Sequence, residues 1–127
     1  MDYQDYKVYY YQNGRTQRVP VFEYIQQLPI KDRGKVAAYI VFLRDRGGRL
    51  DEPYSRYICS GIRELRIEFS HNRHRILYIT VESKRIILLH AFLKATPKTP
   101  KQEIARALNN LKDYKLNKKF IEYEKNV

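Results

Sequence analysis

A single cysteine, Cys59, in 127 residues excludes an internal disulfide, and with only His71, His74 and His90 to help it there is no ligand set for a structural zinc site. A buried, inert thiol is expected there. No stretch approaches the roughly 20 apolar residues of a membrane span, and MDYQDYKVYYY carries acids where a signal peptide would carry bases, so no membrane partner and a cytoplasmic location are expected. The common catalytic kits are missing as well. There is no glycine-rich phosphate loop, no HExxH, no CxxC, and no serine nucleophile with histidine and carboxylate at a familiar spacing. Neither a metal nor a cofactor is called for.

Negative charge is also scarce. The chain has 25 Lys and Arg against 14 Asp and Glu, a formal charge of +11, and a pI near 9.8. That balance points to a polyanionic partner, nucleic acid before anionic lipid. Between Tyr54 and Lys101 ten basic residues face only Glu64, Glu68 and Glu82, so this segment holds most of the excess. With 43% hydrophobic residues the chain is expected to fold, and its length suits one domain spanning residues 1–127.

Periodicity orders the elements. Tyr6 to Tyr11 reads as a strand closing at Asn13-Gly14. A short helix carries Phe22, Ile25 and Leu28 and stops at Pro29; a second, from Asp32 to Arg46, carries Val36, Ile40 and Leu43 and stops at Gly47-Gly48. The period then changes to two, with strands near Arg56–Cys59, Ile62–Phe69, Arg75–Val81 and Arg85–Leu93. The last is apolar on both faces, which predicts a central position beside the first strand. Thr99, Pro100 and Gln102 predict a capped helix start, followed by the stripe Ile104, Leu108 and Leu111. Residues 115–127 form a basic and then mixed tail that either extends this helix or lies loose.

The chemistry is expected where strands carry cations. In the second β-strand after the helices, Glu64, Arg66 and Glu68 alternate with Leu65, Ile67 and Phe69, giving one charged and one apolar face. Arg73 and Arg75 open the next strand, and Lys94 and Lys98 follow the last, while Arg63 falls on the apolar side and ranks lower. RNA carries its own nucleophile, the 2′-hydroxyl. A protein that cleaves it needs only to position the phosphate, move protons and stabilise developing charge, which arginine and lysine can do. Passive backbone binding by the same cations is the alternative. Glu64 is expected to orient an arginine or to act as a base. His90 and Phe92 share a face with Lys94; each reads either as core or as a site residue, Phe92 as a platform for a base.

The succession GIRELRIEF (Gly61 to Phe69), HRILYIT (His74 to Thr80), IILLHAFLKATPKTP (Ile86 to Pro100) and QEIARAL (Gln102 to Leu108) resembles the phage-derived, HigB-like branch of the RelE/ParE toxin superfamily. The resemblance implies an α+β, RelE-like fold: a twisted, mainly antiparallel sheet of 4–5 strands, two N-terminal helices packed on one side, and a C-terminal helix near the active groove. It implies a toxin of a type II toxin-antitoxin system, a metal-independent endoribonuclease that cleaves mRNA on the ribosome. Arg66, Arg75 and Lys94 are the matching catalytic positions, and Lys98, Phe92, Glu64, His90 and Arg73 the substrate-binding ones. By strict alternation Arg75 shares a face with Leu77 and Ile79, a conflict unless the strand begins or bulges there. Implied partners are mRNA, the ribosome and a cognate antitoxin of helix-turn-helix type. The rival readings are a ParE-like DNA gyrase inhibitor and a non-catalytic RNA-binding module.

Overall fold

A computed structural model describes residues 5–123. The elements run β1 (Lys7–Tyr11), α1 (Pro20–Gln26), α2 (Ile30–Asp45), β2 (Ser55–Cys59), β3 (Ile62–Phe69), β4 (Asn72–Val81), β5 (Arg85–Leu93), α3 (Lys101–Asn117) and β6 (Phe120–Glu122). They build an α+β fold around one six-stranded mixed sheet in the order β2-β3-β4-β5-β1-β6. β5 lies centrally, parallel to β1, and every other pairing is antiparallel.

Local chemistry explains the turns. Ser60-Gly61 and Ser70-His71 are two-residue hairpin loops with φ positive at both positions, the type I′ geometry that matches strand twist. α2 stops in a Schellman motif: Gly48 N–H donates to Leu43 O and Gly47 N–H to Arg44 O, with both glycines at positive φ.

The sheet is covered on both faces. On one, Val21 and Ile25 of α1, with Leu28 beyond it, and Val36, Ile40 and Leu43 of α2 bury Leu65, Ile67, Ile76, Tyr78, Ile86 and Leu88. On the other, Ala107, Leu111 and Tyr114 of α3 bury Leu77, Ile79, Ile87 and Leu89. At ~1.5–3 kcal/mol for each fully buried large apolar side chain, these two layers are the main source of stability.

Several details depart from the sequence reading. The sheet has six strands, because residues 120–122 of the expected tail pair with β1, and residues 115–117 complete α3. Residues 124–127 of that tail lie outside the described residues. The α1 stripe begins at Val21, while Phe22 is exposed and meets the Tyr10 ring edge-on. The α3 stripe is turned to Ala107, Leu111 and Tyr114, leaving Ile104 and Leu108 half-buried. Cys59 is half-buried at the end of β2. Among the described residues no helix is long and apolar enough to cross a membrane.

Candidate active site

Three strands of the α3 face carry the site as a grid. Cross-strand register sets Glu64, Leu77 and His90 in one row and Arg66, Arg75 and Phe92 in the next. Glu68 and Arg73 form a third, which Lys94 joins because its N–H donates to Arg73 O at 2.8 Å. A β-bulge between Leu77 and Tyr78 on β4 and Leu88 and His90 on β5 absorbs Leu89 and turns both Leu89 and His90 to this face. The bulge lies on β5 and leaves β4 in strict alternation, so the phase conflict at Arg75 is resolved another way. Arg75 does share a face with Leu77 and Ile79, but α3 covers only the apolar end of that face and leaves the cationic end beyond its N-terminus.

Glu64 is the hub, with 0% of its surface exposed. Its Oε1 accepts from Arg66 Nε at 3.2 Å and lies 4.0 Å from Arg75 Nε; its Oε2 accepts from Thr99 Oγ1 at 2.6 Å. Arg66 and Arg75 stand directly opposite each other, a pairing of like charges that costs energy by itself, so the carboxylate between them offsets that repulsion. Arg66 also reaches Glu52 at 3.9 Å and remains partly open to solvent.

Arg75 is 4% exposed. It donates to His74 O at 3.1 Å and Glu68 Oε1 at 3.4 Å, while its buried Nε has no hydrogen-bond partner. It supplies charge from beneath the surface, where direct contact with a phosphate is hindered.

Lys94 is only 8% exposed and makes no ion pair among the described residues. Burial lowers its pKa below the ordinary lysine value; Glu64 pulls it back up, and Arg75, Arg66 and Arg73 push it down again. A lysine in that condition gives up its proton more readily than one in water, as proton transfer requires. Arg73 is exposed beside it and makes no ion pair among the described residues. Both line an open cleft of about 690 Å³ with Glu68, His71 and Asn72 at the tip of the β3–β4 hairpin.

The remaining candidates separate. Phe92 is buried in the α3 core with its ring stacked on His90, so it offers packing and no open face for a base. His90 Nε2 lies 2.7 Å from Glu103 Oε1, which also accepts from Arg106 Nη1 at 3.2 Å; the pair fastens β5 to the first turn of α3. Lys98 is exposed on the loop before α3 and makes no ion pair with the grid. The capping box does not form: Pro100 occupies the N-cap with no side-chain cap bond, because the Thr99 hydroxyl is directed to Glu64. Thr99 is thus a site residue that the sequence disguised as a cap.

A second network was not foreseen. His74, on the opposite face of β4 between Arg73 and Arg75, has Nε2 2.8 Å from Asp32 Oδ2 and Nδ1 2.7 Å from Tyr24 Oη. Asn72 also donates to Asp32 at 2.9 Å. Hydrogen bonds from His74 and Asn72 hold the Asp32 carboxyl below its ordinary pKa, and burial pushes the Tyr24 phenol up to about 12. These bonds clamp α1 and α2 to the strand bearing the arginines. Among the described residues no group of three or more His, Cys, Asp or Glu is placed to hold a metal ion.

Residues 23–112, well over half of the chain, match the family described as Phage derived protein Gp49-like (DUF891). No curated protein matches.

Proposed function

Because this chain belongs to the phage-derived Gp49-like family, a RelE-like toxin family, we propose that it is a HigB-like toxin of a type II toxin-antitoxin system that cleaves mRNA on the ribosome. One observation carries the reading: the buried Lys94, with no ion-pair partner among the described residues, shares a sheet end with Arg66, Arg73 and Arg75 around the fully buried Glu64. Simple RNA binding needs only exposed cations, and burying a lysine among arginines costs stability without improving such binding.

In this mechanism Arg73 in the cleft and the partly exposed Arg66 in the adjoining row seat the scissile phosphate, and Arg75 stabilises its added charge from below. The deprotonated fraction of Lys94, enlarged by its lowered pKa, takes the proton of the 2′-hydroxyl as that oxygen attacks phosphorus. The bond to the 5′ oxygen breaks, and this oxygen takes a proton from water. The products are a 2′,3′-cyclic phosphate and a 5′-hydroxyl. Glu64 positions Arg66 and Arg75, Lys98 meets the flanking backbone, and His90 and Phe92 support the floor. A helix-turn-helix antitoxin would restrain the activity.

Induced expression should arrest growth and leave new 5′-hydroxyl ends inside open reading frames, and Lys94→Ala should relieve both. Intact mRNA in arrested cells overturns the reading, and inhibition of purified gyrase would replace it with the ParE-like one.

A further inference from the structure

A second cleft, of about 620 Å³, lies at the other end of the sheet and is lined by Arg49, Arg63, Tyr57 and Tyr6, with Gly48 and Gly61 in its walls. Among the described residues no acidic side chain lines it. Arg73 and Thr80 mark the two clefts along β4, and seven residues of strand separate them by about 23 Å.

Among the described residues the cations here have no ion-pair partner. Arg63 is half-buried and, among the described residues, donates only to neutral oxygens, Ser55 Oγ at 3.0 Å and Leu50 O at 3.4 Å. Ser55 Oγ is in turn 2.9 Å from Tyr78 Oη, which donates to Gly48 O at 2.9 Å, so Arg63 is fixed by a bonded chain. Arg49 is exposed and makes no ion pair among the described residues. A partly desolvated guanidinium without a carboxylate is costly, and an external anion would offset that cost. Tyr57 is 56% exposed and presents a ring to the same space. Two carbonyls of the last α2 turn that would repel an anion, Leu43 O and Arg44 O, accept the Gly48 and Gly47 N–H groups.

We infer that this cleft binds a nucleotide unit of single-stranded RNA, its phosphodiester on Arg49 and Arg63 and its base on Tyr57, as a contact separate from the cleavage site. A fixed guanidinium and an exposed one beside an exposed aromatic ring are the elements that hold single strands. The inference rests on the RNA reading and deepens it.

The test is an amide-resolved NMR titration of the ¹⁵N-labelled full chain with a six-nucleotide single-stranded RNA, and in a second series with inorganic phosphate. The Gly48 and Gly61 amides should shift with RNA, and Arg49→Glu, at an exposed position, should weaken that response roughly tenfold while the Arg73 and Lys94 amides still respond. Silent glycine amides, an unchanged affinity in Arg49→Glu, or a response to phosphate but not RNA overturns it. A chain that cleaves mRNA with silent glycines loses only this cleft; responding glycines without cleavage remove the nuclease reading and keep the cleft.

Discussion

Thr99 donates a 2.6 Å hydrogen bond to the buried Oε2 of Glu64, fastening the loop between β5 and α3 to a strand 35 residues earlier. Lys94 begins that loop and Glu64 anchors both arginines, so this bond joins the two halves of the proposed site.

Thr99→Val removes the hydroxyl and preserves shape. It should lower stability by ~1–2 kcal/mol, since it leaves one lone pair of a buried carboxylate unserved. Cleavage should fall by more than RNA affinity does. Urea unfolding and a comparison of kcat with KM check this; a loss confined to KM would show that the bond only shapes binding.

Glu64→Gln removes the one neighbour that raises the pKa of Lys94. With neutral Lys94 as the base, the rate climbs as pH rises through that pKa. The substitution lowers the pKa further, so the acid limb of the pH–rate profile should move to lower pH even as the maximum falls. An unmoved limb would separate Lys94 from proton transfer. Because Arg66 and Arg75 lose their shared anion, the variant should also be destabilised by ~3 kcal/mol.

Legibility from sequence varied with range. Strand alternation put Glu64, Arg66 and Glu68 on one face, and the apolar run of β5 gave its central place, because both depend on neighbours within a few residues. Asp32 gave no such signal. It sits in the first turn of α2, where a solvated acid is the ordinary expectation, and only tertiary pairing with His74, 42 residues on, explains its burial. Thr99 carried a false signal, since Thr-Pro before a helix has a good local explanation that lost to a long-range bond. Phe92 could not be assigned by periodicity, because α3 covers part of its face and leaves the rest open.

Asp32→Asn should flatten the acid dependence of stability. The folded pKa of Asp32 is depressed below the unfolded value of 3.8, so its contribution is complete above about pH 4 and is lost as pH falls through the folded value. Denaturation midpoints of both proteins across pH 2–7 should converge at the acid end. Parallel curves would contradict the His74 linkage.

Gly48→Ala should destabilise by about 2 kcal/mol or more. Its φ of +79° disfavours any Cβ, and an added one would stand 2.5 Å from Thr80 Oγ1 and 3.2 Å from Ile86 Cγ1. Gly34→Ala, where nothing lies within 4 Å of an added Cβ on a helix, should instead be neutral or mildly stabilising in the same thermal melts.

The most direct measurement is end-group analysis of mRNA on purified, programmed ribosomes incubated with the wild-type chain or Lys94→Arg. Wild type should leave a 2′,3′-cyclic phosphate and a 5′-hydroxyl, and Lys94→Arg, which keeps the charge but holds its proton, should cleave at least ~100-fold more slowly while binding RNA equally well. Uncut mRNA with the wild-type chain, or equal cleavage by both, would contradict the account.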